Sequence, residues 1–214
     1  MRQGLLACVV VMLTIVFAAS PALKAAPIPN PDAAYQASTT LINISGIPNS
    51  TVVNSITDGV LNVGFSAGMQ KLQVPGSWGT WNLPPNAETS TPAVLYSNGQ
   101  TSLVITLSQG VGKFGLELEP NPQSAFMVTA TFSNGDVVTR LVSGLAGSLL
   151  FASGGAGAIN SVSISSPVDF AIAQIRYGLA TAGVPEPASM LTWGLIAGAC
   201  CAATRIRRWT SNAA

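Results

Sequence analysis

Apolar positions along this chain follow three regimes. From Leu5 to Ala19 they form an unbroken run in which only Thr14 is polar, and from Ala188 to Thr204 a second run of apolar and small residues. Between the two, apolar and polar residues alternate in short stretches separated by Gly, Pro and Asn. Over Ser102–Ser108, Leu103, Ile105 and Leu107 face one way and Ser102, Thr106 and Ser108 the other, with Val104 out of pattern. Over Lys113–Glu119, Phe114, Leu116 and Leu118 point inward, and Lys113, Gly115, Glu117 and Glu119 outward. A period of two means half-buried strands. Shorter runs begin at Leu41–Ile44, Val60–Phe65 and Val94–Tyr96. Phe126–Phe132 and Val137–Val142 flank Asn134-Gly135, a type I′ hairpin signal. Leu149–Ser153, Ser161–Ser165 and Phe170–Tyr177 complete a set of about ten strands with turn signals every eight to twelve residues.

The predicted architecture is all-β: a two-sheet β-sandwich over 41–180, flanked by a signal helix and a C-terminal transmembrane helix. Residues 27–40, with Pro27, Pro29 and Pro31 alternating, read as an extended linker or an ordered lead-in. The Gly-, Ala- and Ser-rich stretch Gly144–Gly157 reads as a mobile connection around one strand.

The first apolar run follows Arg2 and exits through small residues, the order of a secretory signal peptide over 1–26. Cleavage after Ala22 or after Ala25 both satisfy the small-residue rule, and an uncleaved anchor helix is the competing reading. Mature protein is expected to begin between Pro21 and Pro27. The second run follows Val184-Pro185-Glu186-Pro187 and precedes Arg205, Arg207 and Arg208. Its seventeen residues, 188–204, span about 26 Å as a helix, enough to cross a bilayer. The arginines would then stay cytoplasmic and the body outside.

In that order, motif, helix and basic cluster, the segment 184–208 resembles the PEP-CTERM sorting tail of Gram-negative bacteria; a plain C-terminal anchor is the alternative. The resemblance implies signal peptidase and export machinery, an inner-membrane intermediate, and recognition by an exosortase-type membrane peptidase. It also implies delivery to the cell surface or an exopolysaccharide matrix. Similar tails end many unrelated domains, some ice-binding proteins among them. The body resembles exported jelly-roll-like sandwiches that often carry this tail. The resemblance rests on Phe114–Pro120, the Thr131–Gly135 turn, Ser161–Ile164 and Asp169–Tyr177.

Composition narrows the chemistry. Charged residues make up 8% of the chain, and the body's four bases against seven acids leave no basic patch for nucleic acid. The three cysteines, Cys8, Cys200 and Cys201, all lie in the terminal runs, so the body folds without disulfides. The chain has no His, which excludes a Ser-His-Asp triad and the commonest metal ligand. Glu117 and Glu119, two residues apart on one strand face, read as a solvated strand end before Pro120 rather than as a glycosidase pair. Asp58 or Asp169 is a candidate ligand for one calcium ion at a sandwich edge; Asp169 equally suits a pair with Arg176 or a strand cap. No catalytic residue and no cofactor is implied. Trp78 and Trp81, in the loop 75–85, are the candidate ligand-binding residues. Exposed, they form a stacking platform for sugar rings; buried, they plug one end of the sandwich. Two functions therefore stand: a structural or adhesive matrix protein, and a carbohydrate-binding module using Trp78 and Trp81.

Overall fold

Two long alternating runs govern the architecture, because each continues where the sequence suggests a break. The computed structural model describes residues 27–180. The expected signal segment 1–26, the motif Val184–Pro187, the expected helix 188–204 and the basic cluster Arg205–Arg208 lie outside the described residues. Among the described residues, no helix is long and apolar enough to cross a membrane.

A short helix, α1 (Ala33–Ala37), opens the domain and is followed by nine strands: β1 (Thr40–Leu41), β2 (Val52–Thr57), β3 (Asn62–Gln73), β4 (Ala93–Tyr96), β5 (Ser102–Pro120), β6 (Ala125–Phe132), β7 (Val137–Ser143), β8 (Leu149–Ser165) and β9 (Phe170–Leu179). All pairings are antiparallel within one continuous sheet. The runs 102–108 and 113–119 are one strand, β5. Its register shifts between Thr106 and Val111 and again between Val111 and Lys113, so the glycines that suggest a turn make bulges instead. The same fusion joins 149–153 and 161–165 into β8, and the expected mobile stretch before Gly157 is largely strand.

β5 and β8 stay paired from Ser102↔Ser165 to Leu118↔Leu149, but their neighbours change along the way. The Ser102 end of β5 lies against β3, and the Ser165 end of β8 against β6, with β7 outside it. The Pro120 end of β5 lies against β9, which also pairs β4 and β1. The sheet thereby folds over itself as two layers, an arrangement consistent with a β-sandwich. Inward positions of both halves, including Leu103, Ile105, Phe114, Leu116 and Leu118, meet Val63, Phe132, Ile164, Phe170 and Ile172 in one core.

Several expectations are corrected. β2 is additional: Val52–Thr57 lacks clean alternation because, apart from Ile56, its side chains are exposed or only partly covered. Of the run Leu41–Ile44 only Leu41 joins the ladder, beside Thr40, although Ile42 and Ile44 are buried. The β6–β7 hairpin forms as read, but its turn is not type I′. That turn needs two residues with positive φ, and here only Gly135 has one, at 92°. Phe132 N donates to Asp136 O and Gly135 N to Phe132 O, closing a three-residue loop with glycine in the left-handed position. The lead-in is ordered: Asp32 caps α1 by accepting from Tyr35 N at 2.7 Å, and Tyr35 packs on Leu150 and Ala152.

Candidate functional site

The outward face of the second layer is not open to water. The segment after β3, from Val74 to Pro92, crosses it as a cover. Val74, Trp78, Trp81 and Ala87 from the cover pack on Val94, Ala171 and Ala173 from β4 and β9, forming a second apolar cluster. Trp78 and Trp81 are each 7% exposed. Trp78 leans on Tyr96 with ring centroids 5.5 Å apart and planes at 45°. Neither ring presents a free face to a sugar, so the platform geometry considered for this pair is not the one it adopts.

Glu117 and Glu119 do point outward along β5, but they end beneath the cover, 0% and 1% exposed. The expected solvated strand end is thereby corrected, because the polar side of the alternation faces the cover instead of water. Glu117 is bonded at both oxygens: Trp81 Nε1 donates to Oε2 at 2.7 Å, and the backbone N–H of Glu88 donates to Oε1 at 2.7 Å. Glu119 Oε1 accepts from the Thr80 hydroxyl, which also lies 3.0 Å from the Gly144 carbonyl oxygen. Desolvation pushes both carboxyls up to about 7. For Glu117 the bonds from Trp81 and Glu88 and the charge of Arg176 act in the opposite direction; for Glu119 Thr80 and Trp78 do.

Glu88, carried by the cover, forms a bidentate pair with Arg176 of β9: Nε to Oε1 at 2.6 Å and Nη2 to Oε2 at 2.8 Å. Arg176 Nη1 also donates to the Thr39 carbonyl at 3.2 Å, tying the lead-in to the same point. Cover, lead-in and sheet thus meet on one guanidinium. Sequence reasoning missed Glu88, Arg176 and Thr80 as a group. The available signal was scarcity: in a body with so few charges, Glu-Leu-Glu inside an apolar run is a place to expect buried partners.

The candidate calcium residues are otherwise engaged. Asp58 Oδ1 accepts the N–H groups of Val60 and Leu61, each at 3.0 Å, and Oδ2 accepts from Tyr177 Oη at 2.7 Å. Asp169 Oδ2 accepts from Tyr96 Oη and from Asn121 Nδ2; Arg176 is committed to Glu88. Asp58 and Asp169 act as turn and strand-end acceptors. A cleft of about 560 Å³ lies elsewhere, among Lys113, Gly154, Gly155 and Gly178. What the covered face can do with the groups described is hold the cover shut and keep two carboxyls dry.

No family model matches the chain, and no curated protein matches it. Among solved structures, a peptidoglycan O-acetylesterase is similar over 65% of this chain and 33% of its own length, at 17% identity and a TM-score of 0.35. A family 11 carbohydrate-binding module of a Clostridium thermocellum cellulosomal cellulase is similar over 68% of this chain and 97% of its own, at 13% identity and a TM-score of 0.29. A family 35 module from Cellvibrio japonicus is similar over 67% of this chain and 100% of its own, at 11% identity and a TM-score of 0.26. The chain spans about a third of the esterase, and at these scores the likenesses carry neither substrate nor ligand across.

Proposed function

We propose that this protein is an exported domain of the cell surface or extracellular matrix, with a structural or adhesive role and no catalysis. In this reading its tail is processed by an exosortase-type peptidase and its body is handed to an exopolysaccharide layer. The observation that supports the structural role is the sealed cover. The two carboxyls and two indoles most suited to chemistry or sugar stacking are spent on packing and on bonds to one another. The sequence of the tail supports the destination. Replacing Pro185-Glu186-Pro187 by alanines should leave the body tethered in the inner membrane; release at the normal rate and mass would sink the sorting reading. Carbohydrate binding through Trp78 and Trp81 keeps one route, a lifted cover. Titration of the released protein with a glycan panel tests it, and binding lost in Trp78→Ala without loss of stability would replace the structural role.

A further inference from the structure

We propose that the cover is a pH-operated flap, latched on the sheet by a neutral Glu119 and released when that residue gives up its proton. The segment 74–92 has the build of a flap. It leaves and returns at one point: Val74 N donates to Pro92 O at 3.1 Å, and Gln73 Nε2 to Thr91 O at 3.0 Å. A loop whose ends are tied together can swing without disturbing the strands it connects. Its polar ties to the rest of the domain fall on few groups. The Trp81 indole and the Glu88 N–H hold Glu117, and the Glu88 carboxylate holds Arg176. Asn82 holds the Ser148 carbonyl, and Thr80 holds Glu119 and Gly144. Two of these anchors are carboxyls on one face of β5, so the charge on that face decides how firmly the cover is held.

The count of protons at Glu119 favours the acid. Thr80 Oγ1 lies within bonding reach of Glu119 Oε1 and of the buried Gly144 carbonyl, but a hydroxyl carries one proton. With Glu119 ionised, one of the two acceptors goes short, and Oε2 is a buried charged oxygen without a hydrogen bond. With Glu119 neutral, the acid donates to Thr80, Thr80 donates to Gly144, and an uncharged carbonyl oxygen is far less costly to bury. Glu117 is the contrast, with an N–H donor on each oxygen, a setting that suits the anion. No cation faces Glu119 from any element packed on it. Its neighbour on the same strand face is Glu117. β9 sets Ala171 opposite, and Asp169 beyond it is bonded to Tyr96 and Asn121. The turn 144–148 carries no charge, and the cover brings Thr80, the Trp78 indole and Glu88, which is paired with Arg176. Burial therefore prevails and pushes the Glu119 carboxyl up to about 7. A closed-state value above the ordinary 4.5 means that the latch is fully set below about 4.5 and is lost as pH rises through about 7. Above that, Trp78 and Trp81 gain access to solvent. The latch stands whether or not a sugar reaches these indoles, and whether or not the tail is processed.

The test is amide hydrogen exchange on the protein as the cell releases it, or in detergent where it stays in the membrane. The reporter is the Glu88 N–H, whose acceptor lies across the gap on β5. Its protection should be lower than that of the Leu103 amide at every pH, because the cover opens without the core. Ionisation of Glu119 alone should make that protection fall roughly 50-fold from pH 5 to pH 8. Glu117 is pushed in the same direction, so the variant decides and not the profile by itself. Glu119→Gln should keep the protection at pH 5, because its amide donates to Thr80 as the acid does, and the fall to pH 8 should shrink by that same factor. Should the variant not fold, the ¹³C shift of the Glu119 carboxyl in the unaltered chain decides: it should titrate near pH 7, and a carboxylate already ionised at pH 5 overturns the proposal. Protection at Glu88 that ignores pH also overturns it, as does a fall undiminished in Glu119→Gln. Equal protection of the Glu88 and Leu103 amides throughout overturns it as well, because the cover would then open only with the whole domain.

Discussion

The two outward faces of the sheet are built partly by the same strands and meet different fates. On the first layer, Thr139, Thr129, Ser165 and Ser102 form a row across β7, β6, β8 and β5, with Thr129 and Thr139 hydroxyls 3.0 Å apart. Thr131, Ser163 and Thr106 continue this charge-free face, and all three are exposed. On the second layer the corresponding positions are Glu117, Glu119, Ala171 and Ala173, all buried under the cover. Farther along β5, Val104 is 41% exposed while Glu117 is 0% exposed. The order of polarity is thus inverted within a single strand. Alternation reports which side of a sheet a residue takes; it does not report what lies beyond that side.

The contrast can be broken most forcefully at the cover. Trp81→Ala removes a buried ring and the donor to Glu117, and should cost about 3–5 kcal/mol of stability, read by urea denaturation. A loss under 1 kcal/mol would mean that the cover contributes little and the second face is effectively open. Arg176→Met should cost about 3 kcal/mol, because Glu88 stays largely covered without its partner. The double variant Arg176→Met/Glu88→Leu should recover part of that loss, and failure to recover would show that the pair does more than neutralise itself. Tyr35→Phe probes the far edge of the second layer, where the phenol oxygen is buried without a partner and burial raises its pKa. Removing that oxygen should stabilise the fold by about 1 kcal/mol; a loss of similar size would reveal a bound water. The smallest effect belongs to the first face. Thr139→Ala should change stability by less than about 0.5 kcal/mol, and a larger change would mean that this row is also covered by something.

Period-two patterning made the strands on either side of the fold legible, because Leu103, Ile105, Phe114, Leu116 and Leu118 are core residues in both the sequence and the structure. It could not show that Gly110 and Gly112 make bulges, since a glycine signals equally a turn and a bent strand. Nor could it locate the cover. Residues 74–92 are rich in Pro and Thr and have no period, so nothing local says that they lie on a sheet. The two readings of Trp78 and Trp81, platform or plug, were both available from the loop's composition, and burial at 7% separates them. Glu117 and Glu119 were misread for the same reason: their environment is made by residues about thirty to forty positions upstream, and neither charge nor spacing encodes that meeting.

The length of β5 and β8 also bears on how the domain comes apart. Each runs through both layers, so no line can be drawn that separates one layer from the other without cutting the central pair. Opening either layer alone would leave half of each strand ordered and half frayed. Amide protons near Leu103 and near Leu116 should therefore exchange with solvent through the same whole-domain event, at equal protection, and not as two independent units. Most pairings join residues far apart in sequence, so this event should be slow to reverse. A domain of this kind has a single threshold, all intact or all lost.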